Sequence, residues 1–460
     1  MEYCGLTLVQ NGMCSMLEHM DENCMNLSCI IFFDGRMDTN LLKDAIHRVI
    51  VKNDGLRIRL TRNDNEVVQY LCDCEKKDIE VCDLGPVKGT PFLEDWLDSE
   101  NEKPMKLFNC ELFQFKILDL HKSSACFVKL NHVISDGWSF NLVRQELEEE
   151  YKILLNKTHT ELAEKPSFFQ YAQKQQEDSE VGKMWDSIGY WMKKLAPPFG
   201  SCDPKPGTVS TDCLLCASTE FILPFYLRER LEDFFKQQHI TVLAFCMALM
   251  LLYLSKANSS NDVLTSTFFH NRVTPEEQQM IGCFPSLLPI RVRMNQDLCF
   301  MDLLKLVMNE WKSAIRNKSF NAGLMREEVI KLGFLKPEDA GSDREKARGD
   351  QEEVGREQEN AGRDQNKGLS PDGRFFFINT IVSFDNYNAD EELLFARKKE
   401  EIVHLLLRIR QVNKEKLVFQ FIYRLDIMQK PEVEQIYEFF LSVIAAVLED
   451  PHAKLSELCA

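Results

Sequence analysis

Residues 112–130 alternate short apolar runs with polar breaks. Two strand-like stretches are separated by D-L-H-K-S-S, and the second, A-C-F-V-K-L, runs into N-H-V-I-S-D-G-W-S. Phe140, Val143, Leu147 and Tyr151 then recur at helical spacing with acidic residues on the other face, so the pattern predicts strand, polar turn and amphipathic helix. Upstream, Leu42, Ala45, Ile46 and Val49 predict a helix over 38–52. Asn53-Asp54-Gly55 closes it, and L-R-I-R-L at 56–60 alternates as a strand.

The stretch 196–210, A-P-P-F-G-S-C-D-P-K-P-G-T-V-S, reads as a linker, and the pattern then starts again. A strand and a helix at 227–238 precede an apolar helix at 241–255, which reads as buried on most sides. Strands follow at 262–270, 375–384 and 417–425, the last with Leu417, Phe419, Phe421, Tyr423 and Leu425 on one side. A final helix from about 431 to 449 turns Val433, Ile436, Phe440, Ile444 and Val447 inward and stops at Pro451. Two α+β halves in tandem, 1–180 and 181–460, are the simplest architecture. Residues 338–368 contain a near-tandem copy, G-R-E-Q-E-N-A then G-R-D-Q-N-K-G, and have almost no large apolar side chain. Such a composition cannot bury enough surface to offset ordering, so a disordered insertion is expected at about 338–372.

Composition narrows the partners. The chain has 460 residues, 44% hydrophobic and 28% charged, as in a soluble globular protein of two to three domains. A formal net charge of -17 argues against nucleic acid or an anionic membrane surface as partner. The start M-E-Y-C-G-L-T-L-V-Q lacks the basic and long apolar regions of a secretory signal, and 241–255 is too short to span a bilayer. A cytoplasmic monomer is the expectation. Sixteen cysteines are scattered, mostly in apolar runs, and the C-x-x-C at Cys213 and Cys216 has no second ligand pair at zinc spacing. They read as reduced thiols, with no bound metal or cofactor expected.

His132 stands where a strand ends and a helix is about to begin, a rigid place from which to aim a side chain. Imidazole is the natural proton acceptor for an amine or alcohol nucleophile near neutral pH. Asp136 could orient the His, cap the helix or pair with a distant Arg; spacing leaves all three open. Gly137 lets the backbone pass close to a ligand, with its N–H toward the site.

N-H-V-I-S-D-G-W-S resembles the H-H-x-x-x-D-G signature of nonribosomal peptide synthetase condensation domains, a superfamily shared with chloramphenicol acetyltransferase and dihydrolipoyl acyltransferases. Further stretches resemble that family's segments in the same order: L-T-L-V-Q-N-G-M (6–13), V-I-V-K-N-D-G-L-R-I-R-L (49–60), P-S-F-F-Q-Y-A (166–172), Y-W-M-K-K-L (190–195), Asn271-Arg272 and I-G-C-F-P-S-L-L-P-I-R-V (281–292). The resemblance implies two chloramphenicol-acetyltransferase-like lobes in a V with a substrate tunnel between them, Ser286 and Ser383 being taken as tunnel residues. His132 would act as base or positioning group, Gly137 would help hold the thioester or oxyanion, and Asp136 would be structural with Arg291 as its salt-bridge partner. Asn131, Trp138 and Ser139 would support the site. The sequence departs from the pattern at three places: Asn131 replaces the first His, Pro285 and Ser286 follow Phe284 where an Asn is usual, and S-F-N-A-G-L-M (319–325) replaces H-Q-x-x-P. The D-x-x-x-x-D of heterocyclisation domains is missing as well.

The function implied is acyl transfer from a thioester to an amine or alcohol. The donor would be carried on phosphopantetheine by a carrier protein acting in trans, or by coenzyme A. Local basic surface for an acidic carrier could come from Arg408 and Arg410, or from residues 397–399, with a solvated charged face as the favoured reading of each. Two readings of a different kind compete: a silent module that only recruits carrier proteins, and an epimerase. Retention of His132 favours the transferase.

Overall fold

The computed structural model describes residues 2–319 apart from 18–24, 64–65, 74, 87–89, 158–163, 196–201, 209–213 and 296, together with 378–385, 393–397 and 401–459 apart from 402 and 413–414. The stretch expected to be an insertion, 338–372, lies outside the described residues. The chain divides into two compact units. Unit 1 comprises Met1–Trp185, His270–Ser286 and Tyr387–Lys398; unit 2 comprises Asp186–Phe269, Leu287–Asn386 and Lys399–Ala460. The expected contiguous halves, 1–180 and 181–460, are therefore corrected, because two segments of the second half pack into unit 1. Each has a chemical reason. Arg272 meets Asp136 in the first, and in the second a strand joins the unit 1 sheet beside an Arg397–Asp98 ion pair.

Unit 1 opens with β1 (Tyr3–Gly5) and α1 (Leu8–Leu17), followed by β2 (Asn26–Phe32). Helix α2 (Thr39–Lys52) begins where Asp38 accepts from the backbone N–H groups of Asn40 and Leu41, an N-cap. The predicted strand at 56–60 starts later than expected: α3 (Asp54–Arg57) is a helical turn, and β3 runs Ile58–Asn63. Asp54 explains the turn, for its carboxylate caps another helix through the N–H groups of Phe168 (2.9 Å) and Phe169 (3.2 Å). There follow β4 (Glu66–Leu71), β5 (Glu80–Asp83), α4 (Thr90–Asn101), β6 (Phe113–Asp119) and β7 (Ser124–Asn131), then α5 (Gly137–Leu155) and α6 (Phe168–Lys174). The chain passes into unit 2 after Trp185, within α7 (Asp178–Leu195).

β7 lies between β2 and β6 in a five-stranded sheet and is buried along its whole length. Cys126, Val128 and Leu130 join the core under α2 and α5. Ala125 and Phe127 face the other way, onto Leu93 and Leu97 of α4. Lys129 shares that second face, and its ammonium donates to the carbonyls of Glu100 (3.2 Å), Asn101 (2.9 Å) and Lys103, closing the C-terminal end of α4. Both faces of the strand carrying the motif are thus covered, which makes its end a stiff platform.

In unit 2, residues 202–208 of the expected linker are tied to the core: the Tyr253 hydroxyl donates to the Pro204 carbonyl and Asn258 Nδ2 to that of Asp203. Strand β8 (Cys216–Ile222) leads to α8 (Phe225–Gln238) and to α9 (Val242–Asn258), the apolar helix, capped by Thr241. Among the described residues no single helix is long and apolar enough to cross a membrane. Strands β9 (Asp262–Phe269) and β10 (Ser286–Arg293), α10 (Phe300–Arg316) and β11 (Thr380–Asp385) follow. The chain then places β12 (Leu393–Phe395) against β2 of unit 1 and returns as β13 (Leu405–Val412), β14 (Lys416–Arg424), α11 (Lys430–Glu449) and α12 (Leu455–Leu458). The unit 2 sheet runs β10-β9-β11-β13-β14-β8. β14 departs from the one-sided pattern, since Val418 and Ile422 are buried as well as Phe419 and Phe421. β14 is paired along both edges, by β13 and β8, and carries buried residues on both faces, while Leu425 falls beyond its end.

Candidate active site

At the end of β7 the backbone turns through a single 3-10 turn, His132–Ile134, before α5. Asn131, 1% exposed, holds the turn from its first residue. Its Oδ1 accepts from the Val133 N–H at 3.0 Å, its carbonyl accepts from the Ser135 hydroxyl at 3.0 Å, and its Nδ2 reaches Asn26 Oδ1 at 3.4 Å. A buried Asn so engaged does structural work. His132 is half-buried, and its Nδ1 lies 2.7 Å from the Ser135 carbonyl oxygen. A carbonyl can only accept, so Nδ1 carries the proton and Nε2 is the basic nitrogen. The ring is thus oriented by a carbonyl within its own turn, not by Asp136.

Asp136 has the two other roles left open by the spacing. It is the N-cap of α5, its Oδ1 accepting from Ser139 N–H and from the Ser139 hydroxyl, both at 2.9 Å, while the Asp136 N–H donates to Ser139 Oγ. It also pairs with an arginine, and that arginine is Arg272, which corrects the expectation of Arg291. Arg272 NH2 donates to Asp136 Oδ1 (3.0 Å) and Oδ2 (2.9 Å), with the side chains 0% and 3% exposed. Nε also donates to Asp136 Oδ2 (3.3 Å), NH1 donates to the carbonyls of Glu277 (2.7 Å) and Met280 (2.6 Å), NH2 reaches that of Gly282 (3.1 Å), and the group lies 4.0 Å from the Phe284 ring centroid. A fork satisfied on every side is the arrangement in which a buried charge is tolerated. Arg291 belongs to unit 2, where it pairs with Asp262 at 2.7 Å and donates to the Lys194 carbonyl.

Gly137 is the first residue of the 19-residue α5, so its N–H belongs to the first turn, whose donors have no acceptor within the helix. Trp138 next to it donates from Nε1 to the Gln278 carbonyl at 2.9 Å, and Ser139 Oγ touches Gly282 from the other side. The segment 270–286 is thereby bound to the beginning of α5 by Trp138, Ser139 and Asp136 together. It brings Cys283 Sγ to 3.9 Å from His132 Nδ1. Burial, with the Asp136 charge adding to it, pushes that thiol well above its ordinary range, so Cys283 is no rival nucleophile.

Two glycines show how closely this segment is seated. A Cβ on Gly55 would lie 2.0 Å from the Ile281 carbonyl oxygen, and one on Gly282 would lie 2.2 Å from the Phe168 ring. Sequence reading assigned neither them nor Arg272 a role. A signal for Arg272 was present in the Asn271-Arg272 pair, and Gly55 and Gly282 lie within the family-like stretches 49–60 and 281–292, where a glycine marks close backbone approach.

Of the residues assigned to a tunnel, Ser286 is 5% exposed and accepts from Asn271 Nδ2 at 2.6 Å. Ser383 is 8% exposed on β11 of unit 2, opposite Arg408 of β13. Of the basic residues named above, Arg408 pairs with Asp385, Arg410 with Glu220, and Arg397 with Asp98 and Asp95, as on a solvated charged face. Lys398 and Lys399 lie outside the described residues, as does Cys213. Among the described residues no group of three or more His, Cys, Asp or Glu is placed to hold a metal ion.

Comparison with known proteins gives a consistent picture. The model of the condensation domain family matches residues 2–331. Surfactin synthase subunit 1 of Bacillus subtilis (strain 168) is 26% identical over 292 residues, 63% of this chain and 8% of that protein. Phosphinothricin tripeptide synthetase PhsC of Streptomyces viridochromogenes is 24% identical over 292 residues, 61% of this chain and 27% of that protein. The chain thus spans only 8% and 27% of the length of these two relatives. A mutant of the starter condensation domain of rhizomide synthetase RzmA, solved in complex with C8-CoA, superposes with a TM-score of 0.75 at 15% identity, covering 99% of this chain and 96% of that one. The condensation domain from Monacolin K polyketide synthase MokA gives 0.75 at 14% identity, covering 99% of both chains.

Proposed function

Because the chain belongs to the condensation-domain family, we propose that it is an acyltransferase forming an amide or ester bond from an acyl thioester, with His132 as the group that handles the nucleophile's proton. The observation that carries the reading is the 2.7 Å contact of His132 Nδ1 with the Ser135 carbonyl, which makes Nε2 the proton acceptor at the end of a stiff strand. As the amine nitrogen attacks the thioester carbon, its proton passes to Nε2 and negative charge develops on the carbonyl oxygen. Collapse re-forms the carbonyl, breaks the C–S bond and returns the proton to the departing thiol. The Gly137 N–H, at the positive end of a 19-residue helix, is the donor assigned to that oxygen. The thioester is already activated, so the chemistry asks for proximity and proton transfer and routes no step through a metal or nucleotide.

Ser286 and Ser383 are assigned to substrate contact. The donor is assigned to a phosphopantetheine arm on a carrier protein acting in trans, with coenzyme A as the second reading. The second has support of its own, since C8-CoA is the ligand of a similar structure. The acceptor is a small amine or alcohol.

The test is acyl transfer followed by intact mass. Carrier proteins and coenzyme A loaded with a panel of acyl groups are mixed with amines and alcohols, using the native protein and His132→Ala. The expected result is loss of the acyl mass from one donor class with a matching conjugate, slowed in the variant by about 10²–10⁴-fold, the usual contribution of a positioned acid–base group. If both proteins bind loaded carrier and leave every thioester intact, the transferase reading fails and carrier recruitment replaces it.

A further inference from the structure

The opening motif L-T-L-V-Q-N-G-M has no part in the chemistry above, yet one of its side chains ends at the carbonyl of Val133, the residue after His132. Thr7 and Gln10 form a reciprocal cap at the start of α1: Gln10 Oε1 accepts from the Thr7 N–H at 2.9 Å, and Thr7 Oγ1 accepts from the Gln10 N–H at 3.2 Å. A cap would be satisfied by this alone, on the surface of the helix end. Instead Gln10 is 0% exposed and its amide continues inward. Its Nε2 donates to Gln69 Oε1 and to the Val133 carbonyl, each at 3.1 Å, and Gln69 Nε2 donates back to Gln10 Oε1 at 3.2 Å and to the Gly5 carbonyl at 2.9 Å. Gln69 is also 0% exposed. All four amide hydrogens of the two glutamines are therefore used, in a closed network with no access to water.

Val133 follows His132 in the 3-10 turn, and the surroundings of that turn show what its carbonyl bond is for. The Asn131 carbonyl takes the Ser135 hydroxyl, the His132 carbonyl takes the Ser135 N–H at 3.3 Å, and the Val133 N–H goes to Asn131 Oδ1. These bonds lie within the turn, whose first residue is held at the end of β7: the Asn131 N–H donates to the Leu112 carbonyl at 2.8 Å and its Nδ2 reaches Asn26. The Val133 carbonyl ties the middle of the turn to the helix α1. That bond anchors the turn to unit 1, and the turn sets where the Ser135 carbonyl stands, which in turn sets the plane and tautomer of the His132 ring.

We infer that Gln10, supported by Gln69, is a positioning residue for His132, acting through the Val133 carbonyl. The inference rests on the reading of His132 as the proton-handling group. Replacing Gln10 by methionine keeps the length of the side chain and removes its hydrogen bonds, so a buried carbonyl loses its donor and the turn is released from α1. Small misplacement of a reacting group is costly, and a fall in kcat of about 10–100-fold is expected, with the KM for the acyl donor within about twofold of native.

Two readouts test this on the full chain. The first is steady-state acyl transfer by native protein, Gln10→Met and Gln69→Leu, with unfolding temperatures measured alongside. The second is the imidazole ¹⁵N spectrum, the His132 signals being assigned by their loss in His132→Gln. The inference expects native signals of an Nδ1-protonated ring, which shift toward a mixture of tautomers in Gln10→Met and do so more weakly in Gln69→Leu. A folded Gln10→Met with native kcat and native His132 signals overturns it, since a purely structural glutamine would change the unfolding temperature alone. Should Gln10→Met fail to fold, unchanged signals and kcat in Gln69→Leu overturn it instead. If the native protein transfers no acyl group, the functional proposal fails by itself, and the ¹⁵N signals still decide whether Gln10 sets the ring.

Discussion

Replacing Arg272 by methionine leaves the Asp136 carboxylate, 3% exposed, without its counter-ion, and deprives the carbonyls of Glu277, Met280 and Gly282 of their donor. Removing one partner of a buried ion pair costs about 3–5 kcal/mol. For domains of roughly 150–250 residues, each kcal/mol moves the midpoint by about 2–4 °C, so the unit 1 transition falls by roughly 6–20 °C. The sign of a second substitution is the sharper test. Asp136→Asn in the native background strands the arginine and destabilises. In the Arg272→Met background it discharges a buried carboxylate while the Asn Oδ1 still caps α5, recovering about 1–3 kcal/mol. Thermal and urea unfolding of the two single variants and the double variant complete the cycle, with Arg291→Met as comparison. Arg291→Met breaks the pair with Asp262 and gains nothing from Asp136→Asn. A double variant no more stable than Arg272→Met, or a rescue appearing in the Arg291→Met background, refutes the pairing and the role given to Asp136.

Gly137→Pro isolates the proposed oxyanion donor, because proline suits the first helical position and Asp136, at φ -142 and ψ 179, already has the extended backbone that precedes a proline. The variant should keep its helix by circular dichroism and lose about 10²–10³-fold in kcat; native turnover would remove Gly137 from the chemistry. Gly55→Ala, whose Cβ meets the Ile281 carbonyl, should cost about 1–3 kcal/mol in urea unfolding, whereas Gly189→Ala, in open space on α7, should gain about 0.5–1 kcal/mol. Equal effects at the two sites would show that the seating of 280–286 against Gly55 contributes nothing. Lys129 gives a pH signature, since burial lowers its pKa from 10.5 to about 8 despite the opposing charge of Glu100. Between about pH 8 and 10.5 the unfolded chain holds a proton that the folded one has released, so this lysine's contribution to stability rises with pH across that window. The difference in unfolding free energy between native protein and Lys129→Met should climb from pH 8 to 10, and a flat difference would mean that Lys129 is not held in a desolvated site.

Local elements of the site were legible in the sequence because the physics that forms them is local. A strand, a polar turn and a helix with an Asp at its cap lie within thirty residues of one another, and each leaves its period or its punctuation in the pattern. The partner of Asp136 was not legible, because Arg272 and Arg291 each lie within a family-like stretch and spacing says nothing about which of them folds back. The chain decides it by where β9 ends. Arg272 follows that strand into the segment that returns to unit 1, whereas Arg291 lies within β10 and meets Asp262 at the start of β9. Gln10 shows the same limit, for Thr7 and Gln10 announce a cap, but the second hydrogen of the amide reaches a carbonyl 123 residues away. The acidic partners of the basic residues were illegible for a different reason. With 72 acidic against 55 basic side chains, cations are the scarcer species, and an arginine on a sheet face finds a carboxylate opposite or beside it. Arg408 has done so with Asp385 of the neighbouring strand, Arg410 reaches Glu220 two strands away, and Arg397, beyond β12, pairs with Asp95 and Asp98 of α4. In so acidic a chain a basic cluster in the sequence is therefore weak ground for a docking site, because the fold supplies it with acidic neighbours that spacing does not reveal.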